Sequence, residues 1–149
     1  TMVPALVLLV LAWGISAVCN DLLGTGKYIA SLLVRANLSL AFLPAALFAT
    51  AAAFAFATGA SWGAIGILVP IGMSVCQAVE PSAVVLTLAA TLAGSVMGDH
   101  CSPIADTTIL SSTGAQCKHM NHVMTQIPYA LVAGGISLVA YLVAGALFL

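Results

Sequence analysis

The chain has 149 residues, 62% of them hydrophobic and 5% charged, with a net charge of −1 and a mean hydropathy of +1.19. That composition excludes an ordinary water-soluble domain and reads as an all-α integral membrane protein, because the short alternating segments of a membrane barrel are absent. Three basic residues, Lys27, Arg35 and Lys118, are too few to suggest nucleic acid as a partner.

The run over 2–19 is uncharged and about as long as a hydrocarbon core of roughly 30 Å requires, so a first transmembrane helix is expected there. Thr1 is preceded by no charged n-region, so the start is expected to lie inside a longer protein rather than at a signal peptide. Over 20–37, Asp21, Lys27 and Arg35 interrupt the apolar run while Tyr28, Ile29, Leu32 and Leu33 keep helical spacing, which predicts an interfacial arm. Residues 38–79 form two apolar runs joined by glycines and hydroxyls at 58–66, with no charge between them. This pattern predicts a re-entrant hairpin or a broken helix with its tip at 58–66.

Glu80 and Pro81 mark the next boundary, where an exposed capping role is expected for Glu80. A helix over 82–114 then meets Pro103, which has no N–H to donate and disfavours helix at Ser102, so a break is expected over 99–106. Residues 115–125 are the most polar stretch and are expected as a loop. The last helix is expected over 126–149.

The stretch from Gly98 to Gly114 holds two of the four acidic residues, Asp99 and Asp106, together with six hydroxyls. Polar groups at membrane depth are costly unless they are used. A helix broken inside a membrane frees carbonyls at one new end and N–H groups at the other. With the carboxylates of Asp99 and Asp106 and the hydroxyls of Ser102, Thr107 and Thr108, those carbonyls form an all-oxygen set suited to a hard cation such as Na+. Burial favours the protonated form of a carboxyl and a bound cation favours the ionised form, so proton and cation compete for the same oxygens. Asp99 and Asp106 are therefore the candidate proton-coupling residues, the bland alternative being that both cap helix ends. Thr58, Ser61 and Trp62 at the tip offer two further hydroxyls and an aromatic wall. Cys117, His119 and His122 read as a solvated loop rather than a metal site. No nucleophile-base-orienter set or phosphate-cradling loop appears, and neither an enzyme nor a cofactor is expected beyond transported Na+ and H+.

The stretch from Gly98 to Ser112 closely resembles the signature of the NhaC-type Na+/H+ antiporter family, and Thr58-Gly59-Ala60-Ser61-Trp62-Gly63 and the segment from Gln116 to Ala130 resemble two further motifs. The resemblance implies a bacterial or archaeal multi-pass carrier of the inner membrane built from two inverted repeats, of which this chain is the C-terminal one. It also implies Ser61, Asp99, Ser102, Asp106, Thr107 and Thr108 near the ion or substrate, with Na+ at Asp99, Ser102, Asp106 and Thr107. Membrane lipid, a preceding N-terminal repeat and a second copy of the chain are the implied partners. The chain departs from the pattern at Ala60, Ala64 and Ala105, where hydroxyl residues are usual. Alternative readings are a Na+- or H+-coupled carrier of a small organic acid, of the malate/lactate type, or of an amino acid, and a truncated, inactive membrane subunit.

Overall fold

A computed structural model describes Val18, Leu22 and residues 40–149 of the chain, and every secondary-structure element among the described residues is helical. The expected span over 2–19 and interfacial arm over 20–37 lie outside the described residues, apart from the exposed Val18 and Leu22. Among the described residues, four helical segments are long and apolar enough to cross a membrane: Leu40–Thr58, Ser61–Val79, Pro81–Cys101 and His119–Phe148. The protein is a membrane protein, all-helical over the described residues.

A 3-10 turn at Leu40–Phe42 leads into α1, Leu43–Thr58, whose Pro44 sits in the first turn, where a missing N–H costs no intrahelical bond. α1 ends at Gly59, in the left-handed region at φ 66°, with its N–H donating to the Ala55 carbonyl at 2.8 Å. One extended residue, Ala60, follows, and α2 runs over Ser61–Val79. The tip is thus Gly59 and Ala60 rather than the expected 58–66, and Ser61, Trp62, Gly63 and Gly66 are already helical. Helix-weakening glycines cost about 1 kcal/mol each in water. In hydrocarbon an unpaired backbone group costs more, so the helix closes over them.

Glu80 is extended, and its Oε1 accepts from the Ser82 hydroxyl at 2.9 Å, capping the 3-10 turn Pro81–Ala83 that opens α3, Val84–Cys101. The chain breaks at Ser102–Ala105 and resumes as α4, Asp106–Gly114. The interruption is four residues long, inside the expected 99–106. Asp99, His100 and Cys101 remain helical because the backbone loss begins only at Ser102, which Pro103 holds extended at φ −77°, ψ 128°. The expected loop over 115–125 is likewise shorter: α5 begins at His119 and runs to Phe148. Polar side chains do not forbid helix once past the turn, and no proline stands before Pro128 to stop it. At about 1.5 Å per residue α5 is about 45 Å long, more than the hydrocarbon core, so its polar first turns have room outside it.

α3 is the central helix, in contact with α1, α2, α4 and α5. Its tightest neighbour is α1, and the reason is a Gly-x-x-x-Gly pair: a Cβ on Gly94 would meet the backbone carbonyl of Phe48, and one on Gly98 that of Ala52. Without a strong hydrophobic drive between helices in lipid, close approach of small residues supplies the packing. α1 answers with buried Ala45, Ala51 and Ala55. α5 joins through Gly145 against the Ala41 carbonyl and through Tyr141, whose ring lies 5.6 Å from that of Phe48. Leu131, Val132, Ile136, Val139, Val143 and Leu147 of α5 are exposed, a surface suited to hydrocarbon contact.

Gly94→Val is expected to part α1 from α3 and to cost at least roughly 3 kcal/mol, since the obstructing atoms are backbone. Gly63→Ala meets nothing within 4 Å and is expected to be tolerated. Monodispersity and melting temperature in detergent check the pair; equal stability of the two variants contradicts the packing.

Candidate functional site

Along α3 the residues Thr87, Thr91, Ser95 and Asp99 recur every four positions and are all buried, at 2%, 0%, 0% and 3% exposure. The Thr91 hydroxyl donates to the Thr87 carbonyl and the Ser95 hydroxyl to the Thr91 carbonyl, each at 2.8 Å. Back-bonding of this kind satisfies a hydroxyl in an apolar interior without a partner helix. It leaves oxygen lone pairs along one face that ends at the Asp99 carboxylate. The spacing is present in the sequence, but within an apolar run it does not declare itself until the face is known to be inward.

The break follows from Pro103. In an unbroken helix the Asp99 carbonyl would accept from residue 103, which has no N–H. It accepts instead from Ser102 N–H at 3.0 Å, a tighter turn. Ile104 N–H turns to the Ser102 hydroxyl at 3.4 Å and Ala105 N–H to the Ser102 carbonyl at 3.4 Å. Both would otherwise have closed onto His100 and Cys101, whose carbonyls accept no hydrogen bond among the described residues. The C-terminus of α3 therefore ends in open carbonyls beside a buried carboxylate, a region of negative potential.

Across the gap the Thr107 hydroxyl donates to Asp99 Oδ2 at 2.7 Å, tying the start of α4 to the end of α3. Among the described residues no basic side chain pairs with Asp99. The two acids thus have different surroundings. Asp106 is exposed in the first turn of α4 and its Oδ1 accepts the neighbouring Thr107 N–H at 2.7 Å, a helix-start role. Ser102 is fully buried and holds the break. Thr108 is 2% exposed, and its Oγ1 has no partner among the described residues.

The tip residues are placed differently from the hydroxyl set around the break. The exposed Thr58 hydroxyl donates to its own helix at the Phe54 carbonyl, Ser61 is half-buried, and Trp62 is 66% exposed. The tip touches the break through Gly59: a Cβ there would lie 2.8 Å from Ile104 Cγ1 and 3.0 Å from the Ile104 carbonyl oxygen. The two interruptions therefore meet at Gly59 and Ile104.

His119, read from the sequence as part of a solvated loop, is instead the clamp on the break. Its Nε2 lies 2.7 Å from the Pro103 carbonyl, which can only accept, so Nε2 carries the hydrogen. Its Nδ1 lies 3.0 Å from the Ser112 hydroxyl of α4. One imidazole at the start of α5 thereby fixes both the unwound segment and the helix beyond it. No sequence signal links two residues sixteen positions apart on separate elements.

A family model for the Na+/H+ antiporter family matches residues 1–146. The chain belongs to the Na+/H+ antiporter family. An uncharacterized protein of Haemophilus influenzae is 46% identical over 145 residues, 97% of this chain and 28% of that protein. The arginine/ornithine antiporter ArcD of Halobacterium salinarum is 38% identical over 115 residues, 71% of this chain and 23% of that protein. The chain thus spans about a quarter of the length of these curated relatives. No solved structure matches it.

The buried Asp99 and the open carbonyls of His100 and Cys101 thus share the C-terminal end of α3, where the helix breaks. His119 positions that place without touching it. His119→Ala is expected to cost about 1–3 kcal/mol, the loss of hydrogen bonds to a carbonyl and a hydroxyl, and to speed amide exchange over Ile104–Thr108. Exchange confined to its wild-type rate in the variant contradicts the clamp.

Proposed function

We propose that the chain is the C-terminal repeat of an NhaC-type carrier that exchanges Na+ for H+ across the inner membrane of a bacterium or archaeon, and that the exchange centres on Asp99. The observation that carries this reading is the Asp99 carboxylate: 3% exposed, held by the Thr107 hydroxyl, without a paired cation among the described residues, and beside carbonyls that the break leaves open. Such a group offers its oxygens to either a proton or a cation. Arrival of Na+ releases the proton, and return of a proton releases Na+. Ser102 shapes the break, Thr107 orients the carboxylate, and Thr108 supplies a further hydroxyl.

Asp106, being exposed at the start of α4, acts at the mouth as an attractor for cations rather than as the exchanging group. Thr58, Ser61 and Trp62 belong to the opposing tip, which bears on the break through Gly59, so motion of the hairpin against Ile104 opens or closes the way to Asp99. Buried Ala64 and Ala105 leave the cation fewer hydroxyl ligands than the family's usual pattern offers, which shifts coordination onto the carbonyls of His100 and Cys101. Lipid, an N-terminal repeat and a second copy of the chain are the expected partners.

A second reading, amino-acid antiport with Na+ or H+ as the coupling ion, is favoured by the 38% identity to the arginine/ornithine antiporter of Halobacterium salinarum. In proteoliposomes of the full-length protein, Asp99→Asn is expected to abolish Na+-dependent proton flux. Asp106→Asn should retain turnover with a raised apparent KM for Na+, and Thr107→Val should lower Na+ affinity about tenfold or more. Unchanged flux in Asp99→Asn rules out the ion-exchange assignment. Apparent Na+ affinity is also expected to fall as pH falls, because the two cations share one carboxylate.

A further inference from the structure

Two cavities along the α3–α5 contact share one wall residue, His100. The first, of about 360 Å³, also borders α4 and is polar: His100, Ser111, His122 and Tyr129 line it, and their side chains make no hydrogen bond or ion pair among the described residues. All four can be reached from outside, since His100, Ser111 and Tyr129 are exposed and His122 is half-buried. The second, of about 430 Å³, is apolar apart from His100 and Ser137. Leu92 and Val96 of α3 form one wall and Ala130 and Ala133 of α5 the other. Gly134 and Met97 also line it and touch, since a Cβ on Gly134 would lie 2.5 Å from Met97 Cε.

The order of these residues along α5 sets their depth. His122 and Tyr129 come first and the apolar wall follows, and tyrosine favours the membrane interface, where its ring is apolar-facing and its hydroxyl wet. From Tyr129 to Ser137 the helix rises about 12 Å, less than half of a hydrocarbon core about 30 Å thick. The polar cavity therefore lies at headgroup level and the apolar one beneath it, within a single leaflet. A lone ion would leave the apolar walls empty, and an apolar helix would leave the polar groups unanswered. One molecule with an acceptor-rich head and a hydrocarbon tail satisfies both. Two imidazoles and two hydroxyls can donate to the head, and the polar wall holds no carboxylate to repel an anion, which suits a phosphodiester.

We propose that the two cavities form a specific site for one glycerophospholipid, with its phosphodiester on His100, Ser111, His122 and Tyr129 and an acyl chain in the groove between α3 and α5. The site stands whichever solute the chain exchanges.

The test is native mass spectrometry of purified, delipidated full-length protein titrated with phosphatidylethanolamine, phosphatidylglycerol and a galactosyl diacylglycerol, all with the same acyl chains. One equivalent of phospholipid is expected to bind saturably and at least about tenfold more tightly than the galactolipid, which lacks the phosphate. Glycerol 3-phosphate, which has the phosphate but no tails, should not displace it. Ala133→Phe, which fills the groove, and His122→Ala combined with Tyr129→Phe should each weaken binding about tenfold or more. Val132→Phe, on the exposed α5 surface outside the groove, should stay within about threefold of wild type. If Ala133→Phe does not fold, the double variant decides the question. Equal binding of the galactolipid, displacement by glycerol 3-phosphate, or wild-type affinity in the double variant or in a folded Ala133→Phe overturns the proposal. So does the lack of any saturable equivalent, the result expected if the remainder of the full-length protein covers the groove.

Discussion

A proline inside an apolar helix leaves a carbonyl that hydrocarbon cannot satisfy, and the arrangement around Asp99 follows from how the chain answers that deficit. The Asp99 carbonyl takes the Ser102 N–H, the Ser102 side chain and carbonyl take the next two N–H groups, and the carbonyls of His100 and Cys101 are left open. His119 then secures Pro103 from the other side. The unwound segment is thus held by four hydrogen bonds, which gives a defined interruption rather than a loosely frayed end.

Packing explains why that interruption can sit deep in the structure. Gly94 and Gly98 bring α3 against the backbone of α1, and the same face of α3 carries Thr87, Thr91, Ser95 and Asp99 inward. Small residues and back-bonded hydroxyls serve one end: a helix that stays buried while delivering oxygens to its own terminus. The Thr107 hydroxyl then ties α4 to the carboxylate, and Gly59 of the hairpin tip packs against Ile104 in the break.

The sequence makes some of this legible and hides the rest for physical reasons. Pro103 marks an interruption, and the break lies at Ser102–Ala105, whereas Pro70 and Pro128, which lack the same donor, lie inside continuous helices. The tip is less legible, because Gly63 and Gly66 weaken helix in water but not enough to open one in lipid, where the interruption shrinks to Gly59 and Ala60. The start of α5 is hidden by its polarity: residues 119–125 look like loop but form helix. Asp99 and Asp106 look equivalent along the chain, and only the fold buries one and exposes the other. The pairing of His119 with Pro103 leaves no local trace, since it joins separate elements.

In the proposed exchange one buried carboxylate, Asp99, gives up a proton when it takes a cation. The most direct measurement adds Na+ to the purified full-length protein in weakly buffered detergent solution and follows the pH. Proton release that saturates with Na+, persists in Asp106→Asn and disappears in Asp99→Asn is expected. Release of the same size from Asp99→Asn, or none from the wild type, would contradict it.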